Sequence, residues 1–114
     1  MSAVIVCVPV LDDDGLDPRW GRAARVAVAE VTGGVITGWT EHAMGWDGLH
    51  DAGTEGGHHA RVARFLVDHG VQAVVANHMG PGMVQMLERM RLAVHLGARG
   101  DARQAVVEAL ARPH

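Results

Sequence analysis

Five histidines, His42, His50, His58, His59 and His78, fall in or beside two stretches, one after Thr40 and one after Ala76, that lack the regular patterns found elsewhere in the chain. Eight histidines in 114 residues is a high count, and neutral imidazole is the commonest protein metal ligand. Met44 and Met79 stand near them and bring thioether sulfur, which favours Cu(I) or sulfide-bridged clusters. The competing reading is that these histidines merely decorate a polar surface. His69, at a predicted helix end, reads more simply as a favourable charge against the helix dipole. His95 and His114 read as structural or tail residues.

The segment Asn77-His78-Met79-Gly80-Pro81-Gly82 presents two glycines just where a helix is expected to begin. Free backbone N–H groups and the positive end of a helix dipole receive anions there, and a cluster bearing sulfide or oxo groups is such an anion. A ligand-free strand-to-helix turn would look the same. Asp12, Asp13, Asp14 and Asp17 read as a solvated turn rather than as hard ligands for a divalent ion. No CxxC pair and no His-Glu-x-x-His is present, so neither a structural zinc site nor a zinc protease is indicated. The chain also lacks a Gly-x-Ser-x-Gly elbow and a phosphate-binding loop. Cys7 lies in an apolar run too buried for a nucleophile. Catalysis therefore finds little support.

The elements that must position these residues follow from periodicity. Val4 to Val10 is almost continuously apolar and β-branched, the pattern of a central strand buried on both faces. An Asp-rich surface loop follows. Arg25 to Val31 and Val35 to Thr40, joined through Thr32-Gly33-Gly34, read as a hairpin. Met44 to Gly57 is a long loop. His59 to His69 has an amphipathic helical pattern closed by Gly70. Val71 to Ala76 is a second buried strand. Pro81 then opens a helix whose Met83, Met86, Leu87 and Met90 share one face and fill the core. A short strand, Leu92 to Leu96, precedes a last helix. Its start carries Asp101 with Gln104 three residues on, as in a capping box. Ala102, Ala105, Val106, Ala109 and Leu110 form its buried stripe. The order β, ββ, α, β, α, β, α implies a mostly parallel sheet covered by helices, with an antiparallel hairpin.

Length permits one core, so residues 1–114 are read as one domain. A formal charge of −3, with every positive charge on Arg, leaves no basic surplus for nucleic acid. The single cysteine excludes an internal disulfide and points to a reducing compartment. The run Ala3 to Leu11 lacks a basic leader, and no stretch reaches the roughly 20 apolar residues of a membrane span. A cytoplasmic protein with no membrane partner is expected.

The run Val4 to Val10, the segment Arg19-Trp20-Gly21-Arg22-Ala23 and the loop Met79-Gly80-Pro81-Gly82 occur in an order and spacing that resembles one family. The chain looks like a member of the dinitrogenase iron–molybdenum cofactor biosynthesis family, which includes NifX-like proteins and the C-terminal part of NifB. The likeness runs from Val4 to Leu110. It implies a ribonuclease H-like α/β fold with a five-stranded mixed sheet flanked by helices. It also implies binding or delivery of iron–sulfur, iron–molybdenum or molybdenum–copper clusters, without nuclease activity. Relatives commonly carry His-Phe-Gly where this chain has Arg19-Trp20-Gly21, so Arg19 replaces a histidine.

The first expectation is thus a non-catalytic carrier of a metal–sulfur cluster, with Arg19, Arg22, His58, His59, His78 and Met79 around an open site. A cluster-donating or cluster-accepting protein is its expected partner. The second is a mononuclear copper or zinc protein of metal homeostasis or sensing that uses His42, His58, His59, His78 and Met79. The third is a metal-free interaction domain with Trp20, Trp39 or Trp46 as an exposed anchor.

Overall fold

Strand β1, Val4–Pro9, explains the architecture, because its side chains must be buried on both sides. Val6, Cys7 and Val8 are each wholly inaccessible to solvent. The computed structural model describes residues 3–46 and 55–111. Among them β1 is the middle of a five-stranded sheet of order β3-β2-β1-β4-β5. Strands β2, Arg25–Thr32, and β3, Val35–Ala43, form the antiparallel hairpin, and β2 lies antiparallel to β1. On the other side β4, Ala73–Val75, and β5, Ala93–His95, continue in parallel. This is the five-stranded mixed α/β sheet that the resemblance implied; the mostly parallel sheet expected from periodicity is corrected by the antiparallel pairing of β2 with β1, which makes antiparallel and parallel neighbours equal in number.

Helices α1, Glu55–Asp68, and α2, Pro81–Arg89, cover one face; α3, Ala102–Ala111, covers the other. Alternation along β1 divides the core accordingly. Cys7 joins Trp20, Val26, Trp46, Phe65, Leu66 and Leu87 beneath α1 and α2. Val6 and Val8 join Ala27, Ala29, Val75 and the Ala102, Ala105, Val106 and Ala109 stripe of α3. The small side chains of that stripe let α3 approach the sheet closely. Asp101 caps α3 as expected, its Oδ2 accepting from the Gln104 backbone N–H at 2.9 Å.

Several boundaries differ from the periodic reading. The hairpin's second strand runs three residues beyond Thr40, to Ala43. Helix α1 starts at Glu55, four residues before His59, so the expected loop ends earlier than Gly57. Most of that loop, His50 included, lies outside the described residues. Strand β4 is shorter than Val71 to Ala76 because Val71 still closes α1. Its N–H donates to Leu66 O at 3.0 Å while Gly70, at φ +64°, donates to Val67 O at 3.1 Å. These two bonds are the 6→1 and 5→2 pair of a Schellman cap.

Helix α2 ends in the same way. Leu92 N–H reaches Leu87 O at 3.1 Å and Arg91 N–H reaches Glu88 O at 2.9 Å, but the left-handed residue is Arg91, at φ +64°. A side chain pays about 1–2 kcal/mol in that region. Arg91→Gly is therefore expected to raise stability by about 1 kcal/mol, read as a higher urea midpoint at unchanged m-value.

Burial pushes the Cys7 thiol pKa far above its ordinary value, by desolvation of the thiolate. The folded chain thus holds this proton more tightly than the unfolded one. Its contribution is complete below the unfolded thiol's pKa of about 8.5. Above that, stability should fall by about 1.4 kcal/mol per pH unit. Urea titrations between pH 8 and 10 should show this slope, and Cys7→Ala should lack it.

Candidate functional site

The loop after β1 carries the first group of site residues, and a buried aspartate shapes it. Asp17 N–H donates to Pro9 O at 2.9 Å, and Asp17 Oδ1 accepts from the Arg19 backbone N–H at 2.9 Å. The second bond is the Asx turn that an Asp-Pro pair favours. The Arg19 guanidinium folds back on the same carboxylate, with Nε donating to Oδ1 at 3.3 Å and Nη2 to Oδ2 at 3.5 Å. The Asp17 side chain is 3% exposed and that of Arg19 61%. Asp17 is thus not part of a solvated turn, as the four aspartates suggested; it is a buried anchor that aims an exposed cation. Its neighbours Asp12, Asp13 and Asp14 are exposed.

Trp20–Arg22 then forms a 3-10 turn. Trp20 is buried, stacked edge-to-face on Trp46 with ring centres 5.4 Å apart. Its indole Nε1–H has no acceptor among the described residues. A buried donor left unmatched is unfavourable by about 1–3 kcal/mol.

Parallel pairing of β1 with β4 brings the two exit loops side by side. An isolated parallel bridge joins the backbones of Arg19 and His78. Met79 is buried beneath the start of α2, where Gly80 is extended and Pro81 occupies the first turn. Helix α1 supplies the third wall. His58 is 3% exposed, its ring edge-on to Trp46 at 6.1 Å, and Gly21 packs over it. A Cβ on Gly21 would lie 3.6 Å from His58 Nε2. The His59 ring centre is 6.4 Å from that of His58.

Arg19, Arg22, His58, His59, His78 and Met79 all line one cavity of about 560 Å³, with Trp20, Gly80, Pro81, Gly82 and Met83 completing its wall. It lies beyond the C-terminal ends of β1 and β4, where parallel sheets open toward ligands. Two guanidinium groups, imidazoles and the backbone N–H groups at the start of α2 make a lining of donors around an apolar floor. Such a lining suits an anion bearing several acceptor atoms.

His42 does not join this group, which corrects its inclusion among the metal ligands of one site. It pairs with Val26 across the hairpin and so faces α1, where its ring meets Phe65 at 5.4 Å and His69 at 4.8 Å. Met44 packs against the core beneath α1. Among the described residues, no three His, Cys, Asp or Glu side chains are grouped as a metal-ion site. Trp20 and Trp46 are each 1% exposed and cannot serve as surface anchors, because they fill the space between α1 and the sheet. Trp39 is half-buried, under the Arg103 guanidinium at 4.4 Å. The sequence reading did not place Asp17 and Trp20 at the site. The Asp-Pro-Arg turn signal was available for the first, whereas burial of the second depends on Trp46.

An α/β domain with a donor-lined cavity at the ends of its parallel strands is the class that fold and site define. The chain belongs to the dinitrogenase iron–molybdenum cofactor family, whose model matches residues 2–112. Among solved structures it is similar to the apo form of the orange protein from Desulfovibrio gigas. The two share 23% identity at a TM-score of 0.75, over 97% of this chain and 91% of that one. It is also similar to a putative NifB protein from Thermotoga, at 19% identity and a TM-score of 0.69, over 95% and 87% of the respective chains. At these identities the likeness concerns the fold. A search of curated proteins finds no match. No helix among the described residues is long and apolar enough to cross a membrane.

Proposed function

We propose that this chain binds an anionic metal–sulfur cluster, of iron–molybdenum, iron–sulfur or molybdenum–copper type, and delivers it without altering it chemically. The observation that carries this reading is the convergence of Arg19, Arg22, His58, His59, His78 and Met79 on one cavity at the start of α2. Family membership supports the class of cargo. The donors fit it: guanidinium and backbone N–H groups hold sulfide or oxo ligands by charge-assisted hydrogen bonds. His78 and Met79 add nitrogen and sulfur suited to a soft metal at the same mouth. Arg19, His78 and Gly80 are exposed, so a cargo can enter and leave. The carrier works in the cytoplasm and meets a cluster-donating or cluster-accepting protein there.

A mononuclear copper or zinc site is the second reading. It loses support because His42 lies elsewhere and no group of three His, Cys, Asp or Glu side chains is placed to hold one ion among the described residues. Metal and acid-labile sulfide analysis of protein purified anaerobically tests the two. Iron or molybdenum together with inorganic sulfide is the expected result. One copper or zinc per chain without sulfide would replace the cluster reading by the mononuclear one.

A further inference from the structure

Outside the cavity, the structure brings together two histidines that the sequence separates by 27 positions. His42, near the end of β3, and His69, just past α1, have ring centres 4.8 Å apart at an interplanar angle of 70°. Neither ring is loose. His69 stacks on Phe65 with ring centres 4.2 Å apart, and its Nδ1 lies 3.0 Å from Phe65 O. His42 stands edge-on to the same Phe65 ring. Pairing with Val26 on β2 holds the backbone of His42 in register.

We propose that His42 and His69 form a second metal site, for a borderline divalent cation such as Cu²⁺ or Zn²⁺. Three features of the geometry carry it. First, two imidazole nitrogens on one ion, each at about 2.0–2.1 Å, put their ring centres about 4.5–5 Å apart, whether the ion is tetrahedral or holds them cis in a square plane, and the spacing here is 4.8 Å. Second, a backbone carbonyl at Nδ1 selects the tautomer protonated there and leaves the Nε2 lone pair for a metal. Metal-binding histidines are oriented by just such an outer hydrogen bond. Third, His69 is exposed and His42 half-buried, so the pair is reachable from solvent while Phe65 keeps both rings in place. Two protein ligands leave the remaining coordination positions to water, so the site binds exchangeably. Of the divalent first-row ions, Cu²⁺ binds such nitrogen ligands most strongly.

The ordinary alternative is that the three rings only pack against one another. Phenylalanine separates the two, because it keeps the ring and removes the nitrogen. Proton NMR of the full chain, titrated with Cu²⁺ in a non-chelating buffer, follows the imidazole C–H resonances, assigned with the variants. In the wild type, those of His42 and His69 should broaden together at substoichiometric Cu²⁺. His42→Phe and His69→Phe should each weaken this step at least tenfold, with thermal midpoints kept. His42→Gln serves where a Phe variant does not fold. The double variant His58→Ala, His78→Ala should leave the step intact, which makes it independent of the cavity. Broadening of one resonance without the other, affinity within twofold of wild type in the Phe or Gln variants, or loss of the step in the cavity variant would overturn the proposal.

Discussion

Trp46→Ala should lower the unfolding free energy by about 3–5 kcal/mol, the range for removing a buried large aromatic. Its ring is 1% exposed and touches the edge or face of Trp20, His58 and Phe65, at centre distances of 5.4, 6.1 and 6.3 Å. These neighbours come from the loop after β1 and from α1, two of the walls of the cavity. The void would therefore do more than subtract buried area. With no ring between them, Trp20 and His58 lose the surface that sets their separation. Cargo binding should fall along with stability. Urea unfolding gives the first effect, and titration with tetrathiomolybdate, a soluble thiometalate anion, gives the second. A loss under about 1 kcal/mol would mean that Trp46 does not hold the two walls apart.

The largest effect on binding is expected from Arg19→Ala with Arg22→Ala. Hydrogen bonds to charged groups contribute about 1.5–3 kcal/mol each, so losing two should weaken tetrathiomolybdate binding by at least about a hundredfold. Stability should change far less, because both side chains are exposed. Some loss will come from Asp17, which keeps the Arg19 backbone N–H but loses the guanidinium. Wild-type affinity should also drop with added salt, and the double variant should show a shallower dependence. Affinity unchanged in the double variant would mean that the cargo does not rest on these cations.

Much of the architecture was legible from local pattern. A β-branched run identifies a strand buried on both faces wherever it sits, and Val4 to Val10 became the middle strand. The Met83 and Leu87 spacing placed one face of α2 in the core, and Asp101 announced the start of α3. Boundaries were less legible because they depend on caps. Val71 reads as strand by composition, yet its N–H completes the cap of α1. The extension of β3 to Ala43 follows from pairing with Arg25, a partner that periodicity does not reveal.

For the site, residue chemistry and family resemblance named the six cavity residues, since loops at the ends of parallel strands converge wherever β1 and β4 are neighbours. Pairing geometry was out of reach. His42 looks like any other loop-proximal histidine in one dimension, but the alternation of β3 turns it toward Phe65 and His69. Asp17 looks solvated beside three other aspartates until the Asx turn folds it inward.

The amino-acid sequence by itself determined the mixed α/β class, the family and the chemical character of the mouth: cations, imidazoles and a helix start. Only the tertiary structure decided which histidines meet, which aspartate is buried and which tryptophans lie in the core. The physical reason is range. Periodicity and turn chemistry are set by neighbours within a few positions, whereas side-chain convergence depends on strand register and on which face a residue occupies, and one step of register reverses that face.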